Sequence, residues 1–147
     1  MTRDEAIEAL VDGFRRDLES QYDRLAKKYL AGNGTEARFQ QYASCVADYF
    51  NLPKEELLSR KTRKREFSYA RKLFWFICRT GKTALPYSFA AIAEKSGGFD
   101  HATVVYGVRT ANDELLEYDA AFRHDAKAVV KNLDYELIKE GKRWTIK

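Results

Sequence analysis

Between Thr2 and Leu30 the apolar positions Ile7, Leu10, Val11, Phe14, Leu18, Leu25 and Tyr29 recur at intervals of three, four or seven, the spacing of one face of a helix. Gly32, Asn33 and Gly34 follow, residues that enter left-handed backbone easily, and they are read as a hinge. Thr35 stands where it can cap a second helix, with Phe39, Tyr42, Ala43, Val46 and Phe50 on one face until Leu52 and Pro53 interrupt it. Pro53 suits a first helical turn, so Lys54 to Ser59 is predicted as a short turn with Leu57 and Leu58 inward. The polar, basic run after it lacks any apolar period and reads as a loop. From Ser68 to Arg79 apolar residues surround the axis, the pattern of a central buried helix.

Ser88 is placed to cap a further helix with Phe89, Ile92 and Ala93 inward, ending before Gly97 and Gly98. Asp100 restarts a helix at once. Val104, Val108, Ala111 and Leu115 share its buried side, and Phe122, Ala126, Val129 and Leu133 do the same in a last helix. Two helices joined by a glycine turn predict a helix-turn-helix. The tail Tyr135 to Ile146 alternates around Glu140, Gly141 and Lys142, as a small hairpin does. The fold class is therefore all-α, a helix-turn-helix bundle with an extra N-terminal helix and a small C-terminal β-hairpin. Its expected parts are an amphipathic helix and hinge over 1–34, a main domain over 35–133 and a tail over 134–147.

The length of 147 residues suits one domain with a short appendage, and 45% hydrophobic with 14% aromatic residues can fill a core. The longest unbroken apolar run, Leu73 to Cys78, is far below the roughly 18 residues that cross a bilayer, and the chain does not open on a secretory pattern. Its aromatic helix is apolar all round, which favours burial over a membrane surface. Cys45 and Cys78 sit among apolar neighbours without companions at metal-ligand spacing and are read as buried reduced thiols. Charge changes the picture most. Arg60 to Lys82 holds nine bases against the single acid Glu66, a net +8, while the remaining 17 bases and 21 acids give −4. One sign concentrated in one stretch draws polyanions there, nucleic acid or anionic lipid.

Catalytic patterns are weak. Gly81, Lys82 and Thr83 look like the end of a phosphate loop, but the required earlier glycine is replaced by Phe76 within a helix. His101 and His124 have no triad partners in the sequence, and there is no metal-ligand cluster. A protein without enzymatic activity, cofactor or metal is expected.

The segment Gly97, Gly98, Phe99, Asp100, His101, Ala102, Thr103, Val104 resembles the G-G-R-D-H-T-T-V signature of the C-terminal DNA-binding domain of the bacterial replication initiator DnaA, a Trp-repressor-like helix-turn-helix. Val46 to Phe50 followed by Leu57 to Lys61 is similar to that family's opening helix, its D-L-L-S turn and the start of its basic loop. Ser88 to Ala93 resembles its S-L-P-E-I-G helix, and Val105 to Arg109 continue the recognition helix. The likeness runs from about Gln40 to Leu133.

The resemblance implies that the start of the recognition helix enters the major groove of double-stranded DNA while the basic loop sends an arginine into the minor groove. Asp100 would accept from a base amine and also cap the helix; His101 would meet a base edge. Ala102, in place of a threonine, offers a methyl, and Thr103 a hydroxyl for phosphate. Phe99 replaces an arginine, which removes a cation at the groove mouth and points to a different or weaker specificity. Arg60, Lys61, Arg63, Lys64, Arg65 and Arg71 supply the loop's charge, and Lys82 and Thr83 precede the helix-turn-helix where relatives grip the backbone. The implied role is a stand-alone regulator or accessory replication factor lacking an ATPase module, cytoplasmic and nucleoid-associated in a bacterial or phage-infected cell. The rival readings are a protein-interaction module on the same fold and a binder of structured RNA. The N-terminal stripe could serve a homodimer or a replication-protein partner.

Overall fold

A computed structural model describes residues 2–147, apart from the side chains of 22–33. The chain divides into two compact units, Met1–Ala37 and Arg38–Lys147. Helix α1 spans Arg3–Phe50. The hinge expected at Gly32, Asn33 and Gly34 falls largely on positions whose side chains lie outside the description, but Gly34 and Thr35 are both helical. Thr35 therefore does not cap a new helix, and one helix stands where two were predicted. Local propensity is a weak prior that a glycine lowers without forcing a break.

The second unit is built around α3, Arg65–Arg79, which starts earlier than its apolar pattern suggests because Lys64, an N-cap without a side-chain bond, opens it with polar residues. Its Phe67, Ala70, Leu73, Phe74, Trp75, Phe76, Ile77 and Cys78 are all buried, each large apolar side chain contributing roughly 1.5 to 3 kcal/mol when removed from water. Phe39 and Tyr42 of α1 join this core, Phe39 meeting Phe74 edge-on at 5.1 Å. Helix α2, Lys54–Leu57, buries Leu57. After a 3₁₀ turn, Gly81–Thr83, come α4, Phe89–Lys95, and α5, His101–Thr110. A π-helical turn, Ala111–Leu115, leads into α6, Leu116–Tyr118, and α7, Ala120–Asn132, follows. Cys78 is fully buried, whereas Cys45 is only half-buried, its Sγ 3.9 Å from the Val129 carbonyl; both are free thiols.

The tail is a hairpin, as the alternation predicts: β1, Leu137–Glu140, pairs antiparallel with β2, Arg143–Ile146, in the register Leu137↔Ile146 to Glu140↔Arg143. An isolated two-stranded hairpin is marginal, and this one is docked. Asn112, on the π turn, donates to the Trp144 carbonyl at 3.2 Å and accepts from its N–H at 3.1 Å, covering an edge that would otherwise invite another strand. The Trp144 indole N–H donates to Glu117 at 2.8 Å; with Lys139 2.7 Å away, these partners hold the Glu117 carboxyl below its usual range.

Tyr49 and Tyr69 both donate to the Asp125 carboxylate, at 2.8 and 3.1 Å, tying α1 and α3 to α7. The bond to Asp125 raises the Tyr49 phenol, and burial followed by the same carboxylate raises Tyr69, above the ordinary value of 10.0. Phenols with a higher pKa in the folded state stabilise it fully below the unfolded pKa and lose that contribution as pH rises through the folded value. Thermal melts of the wild type and of a Tyr49→Phe, Tyr69→Phe variant should therefore converge as pH rises above about 10. A stability gap that stays constant across that range would contradict this linkage.

Candidate nucleic-acid interface

The turn between α4 and α5 is seated on one side chain, Trp75. Ser88 caps α4 by accepting from the Ala91 N–H at 3.1 Å, and at the other end the buried Ser96 hydroxyl accepts from the Trp75 indole N–H at 3.0 Å. Phe99 meets the Trp75 ring edge-on at 5.3 Å. Gly107 of α5 lies so close that a Cβ there would stand 2.7 Å from Trp75 Cε3. Phe99 is thus an anchor between the turn and α3, half-buried and under the Arg71 guanidinium, whose centre is 5.1 Å from its ring. Its apolar character serves packing.

Gly97, at φ +113°, brings the turn onto the backbone of the basic loop: a Cβ there would fall 2.7 Å from Ser59 Cα, 2.8 Å from the Arg60 nitrogen and 2.8 Å from the Leu58 carbonyl oxygen. Arg60 reaches back with a long contact, Nη1 to the Gly98 carbonyl at 3.4 Å. The loop is held from beneath by Arg71, which donates to the carbonyls of Glu56 (2.8 Å), Leu57 (2.9 Å), Ser59 (2.5 Å) and Thr62 (2.7 Å).

Two expected contacts are corrected by these bonds. Arg71 is 3% exposed and gives four hydrogen bonds to carbonyls of α2 and the loop, so it shapes the floor of the loop and is withdrawn from the groove-contact set. Thr83 is fully buried, its hydroxyl within 2.6 Å of the Ile77 carbonyl and 2.9 Å of the Thr80 carbonyl; it closes the turn after α3 and does not face phosphate. The spacing of four, three and seven residues from the apolar Phe67, Phe74 and Cys78 is the signal that marks Arg71 as inward.

The other candidates are on the surface. Arg60, Lys61, Arg63, Lys64, Arg65, Lys82, Asp100, His101, Ala102 and Thr103 are all exposed. Asp100 caps α5, its Oδ1 accepting from the Ala102 N–H at 3.0 Å and lying 3.2 Å from His101 Nδ1. Arg60 and Arg63 of the loop and Asp100 and Thr103 of α5 line one open cleft of about 400 Å³, with Ser68, Arg71 and Phe99 completing it. Lys61, Lys64, Arg65, His101 and Ala102 lie outside that lining, as does Lys82 on its 3₁₀ turn. The cleft thus joins a cationic loop to the N-terminal end of α5, whose free N–H groups favour negative charge.

A capped helix, a glycine turn and a second helix with an exposed polar first turn beside a basic loop define a helix-turn-helix domain. Residues 40–111 match the family model of the bacterial DnaA protein helix-turn-helix. The chain carries a domain of that family. The chromosomal replication initiator protein DnaA of Rhizobium meliloti (strain 1021) is 30% identical over 118 residues, 76% of this chain and 24% of its own length. That of Geotalea uraniireducens (strain Rf4) is 36% identical over 93 residues, 63% of this chain and 19% of its own. A crystal structure of a DNA replication initiation factor is similar at a TM-score of 0.55 and 26% identity, over 90% of this chain and 41% of that one. The chain thus spans a quarter or less of the length of these curated relatives. Among the described residues, no helix is long and apolar enough to cross a membrane.

Proposed function

We propose that this protein binds double-stranded DNA sequence-specifically, with the first turn of α5 in the major groove and the basic loop along the adjoining backbone and minor groove. The observation that carries the reading is the shared cleft of Arg60, Arg63, Asp100 and Thr103, because it couples phosphate-seeking cations to side chains that can read base edges. His101, 67% exposed beside the cap, presents its ring to a base, and the Ala102 methyl can touch a thymine methyl. Asp100 combines capping through Oδ1 with acceptance of a base amine. Thr103, at the cleft, bonds phosphate. Arg60, Lys61, Arg63, Lys64, Arg65 and Lys82 form the electrostatic footprint, with one loop arginine inserted in the narrow groove.

In this reading the protein works as a regulator or accessory factor of replication in the cytoplasm of a bacterial or phage-infected cell, at the nucleoid. It contributes recognition of DNA without nucleotide hydrolysis. The similarity to the helix-turn-helix part of the initiators supports this role.

Selection of a bound site from a randomised duplex library, followed by titrations across a salt series, tests the reading. With six exposed loop and turn cations, log affinity should fall against log salt with a slope of about −5. His101→Ala should flatten preference at one base position by about 1 to 3 kcal/mol, whereas Arg65→Ala should weaken all sequences evenly. Absence of duplex binding at low salt, or a selected site unchanged by His101→Ala, would refute the groove assignment.

A further inference from the structure

The first unit leaves an apolar stripe bare. Ile7 is 48% exposed, Leu10 70%, Val11 50%, Phe14 72% and Leu18 59%. Of the seven large hydrophobics exposed among the described residues, these five lie on α1, and only Tyr106 and Tyr118 are elsewhere. A monomer seldom leaves such a continuous patch open to water. Ile7, Val11, Phe14 and Leu18 follow one another at four, three and four residues, which is the alternation of a two-stranded coiled-coil seam and narrower than the stripe of a helix packed on a globular core.

The charges beside the seam indicate what covers it. Taking Val11 and Leu18 as a positions and Ile7 and Phe14 as d positions, Glu8 and Arg15 occupy successive e positions, and both are exposed. An antiparallel second copy stacks Val11 on Phe14 and Ile7 on Leu18 of the other chain. That arrangement sets Glu8 beside Arg15 across the seam, and the two-fold axis repeats the pair. The other acids of the helix opening, Asp4 and Glu5, then lie level with the uncharged Gln21 and Ser20 of the other copy. A parallel, in-register copy would instead face the two acidic openings towards each other.

We infer that the exposed α1 stripe is a self-association surface, and that two copies of this chain pair through it antiparallel, with Glu8 facing Arg15. Pairing then gives each assembly two helix-turn-helix domains, a multivalency independent of how either domain reads DNA.

Sedimentation equilibrium of the full chain without DNA tests this, from about 1 to 200 μM, a range chosen because a short seam gives micromolar affinity. The expected result is a monomer–dimer equilibrium. Phe14→Glu should weaken it by roughly tenfold or more, since it places a charge in the seam, while circular dichroism and duplex-DNA binding per domain report that the chain still folds. Glu8→Arg alone should weaken association several-fold, and combining it with Arg15→Glu should restore it, because the swapped pair again has opposite signs. A chain monomeric at the highest concentration overturns the proposal, as does a dimer indifferent to Phe14→Glu. Failure of the double swap to rescue overturns the antiparallel pairing. Binding of the monomer to phosphatidylglycerol vesicles, abolished by Phe14→Glu without any dimer in solution, would assign the stripe to a lipid surface and overturn it as well.

Discussion

Arg71→Ala should be among the most destabilising single substitutions in this protein, lowering stability by roughly 3 to 5 kcal/mol and the melting temperature by about 10 °C or more. The guanidinium is 3% exposed and serves four carbonyl oxygens at the end of α2 and in the basic loop. It is also held between aromatic rings, 5.7 Å from the centre of Phe67 and 5.1 Å from that of Phe99. Truncation leaves buried carbonyl oxygens without their donor, at about 1 to 3 kcal/mol for each that water cannot reach, and it opens a cavity beneath the loop. Arg71→Lys should recover little, because a single ammonium cannot span carbonyls that a planar fork reaches in several directions. Denaturant unfolding monitored by tryptophan fluorescence measures the loss. A change below about 1 kcal/mol would show that the loop holds its shape without this residue. In folded Arg71→Lys protein, DNA affinity should fall with the salt slope nearly preserved, since the exposed cations remain but lose their common positioning.

The second large effect is expected at Gly97. With φ at +113° and the loop backbone within 2.8 Å of any added Cβ, Gly97→Ala combines an unfavourable backbone conformation of about 1 to 3 kcal/mol with a clash that no side-chain rotation relieves. We expect a total near 3 kcal/mol. Gly98→Ala provides the control. Its φ of +87° carries a backbone cost, but nothing lies within 4 Å of the added carbon, so the difference between the variants isolates the contact of the turn with the loop. Equal destabilisation of the two would mean that this contact contributes nothing. In partly folded Gly97→Ala protein, Arg60 and Arg63 should separate from Asp100 and Thr103, and sequence preference should fall together with stability.

Much of this architecture is legible as spacing. The buried run of α3, the cap at Ser88, the dual place of Gly97 and Gly98, the cap at Asp100 and the closing hairpin are local patterns, each set by the period of its element or by the chemistry of one helix end. Thr35 shows the limit of such patterns. A capping residue after two glycines satisfies the local rule, yet it lies within α1, because a helix end depends on the energy of the whole helix and its packing as well as on the residue at the boundary.

The candidate site divides along the same line. The amino-acid order alone establishes that positive charge is concentrated in one stretch, that a glycine turn separates two helices, and that an acid and an imidazole open the second of them. Charge and chain order are properties of the sequence and survive any folding. Which cations face outward is a different matter, settled when α2, α3 and α5 come together: Arg71 is drawn beneath the loop by four carbonyls, Thr83 is closed into a turn, and Phe99 becomes an anchor on Trp75. The direction of a side chain depends on partners distant in sequence, and a buried carbonyl claims a nearby donor because leaving it unpaired costs about 1 to 3 kcal/mol.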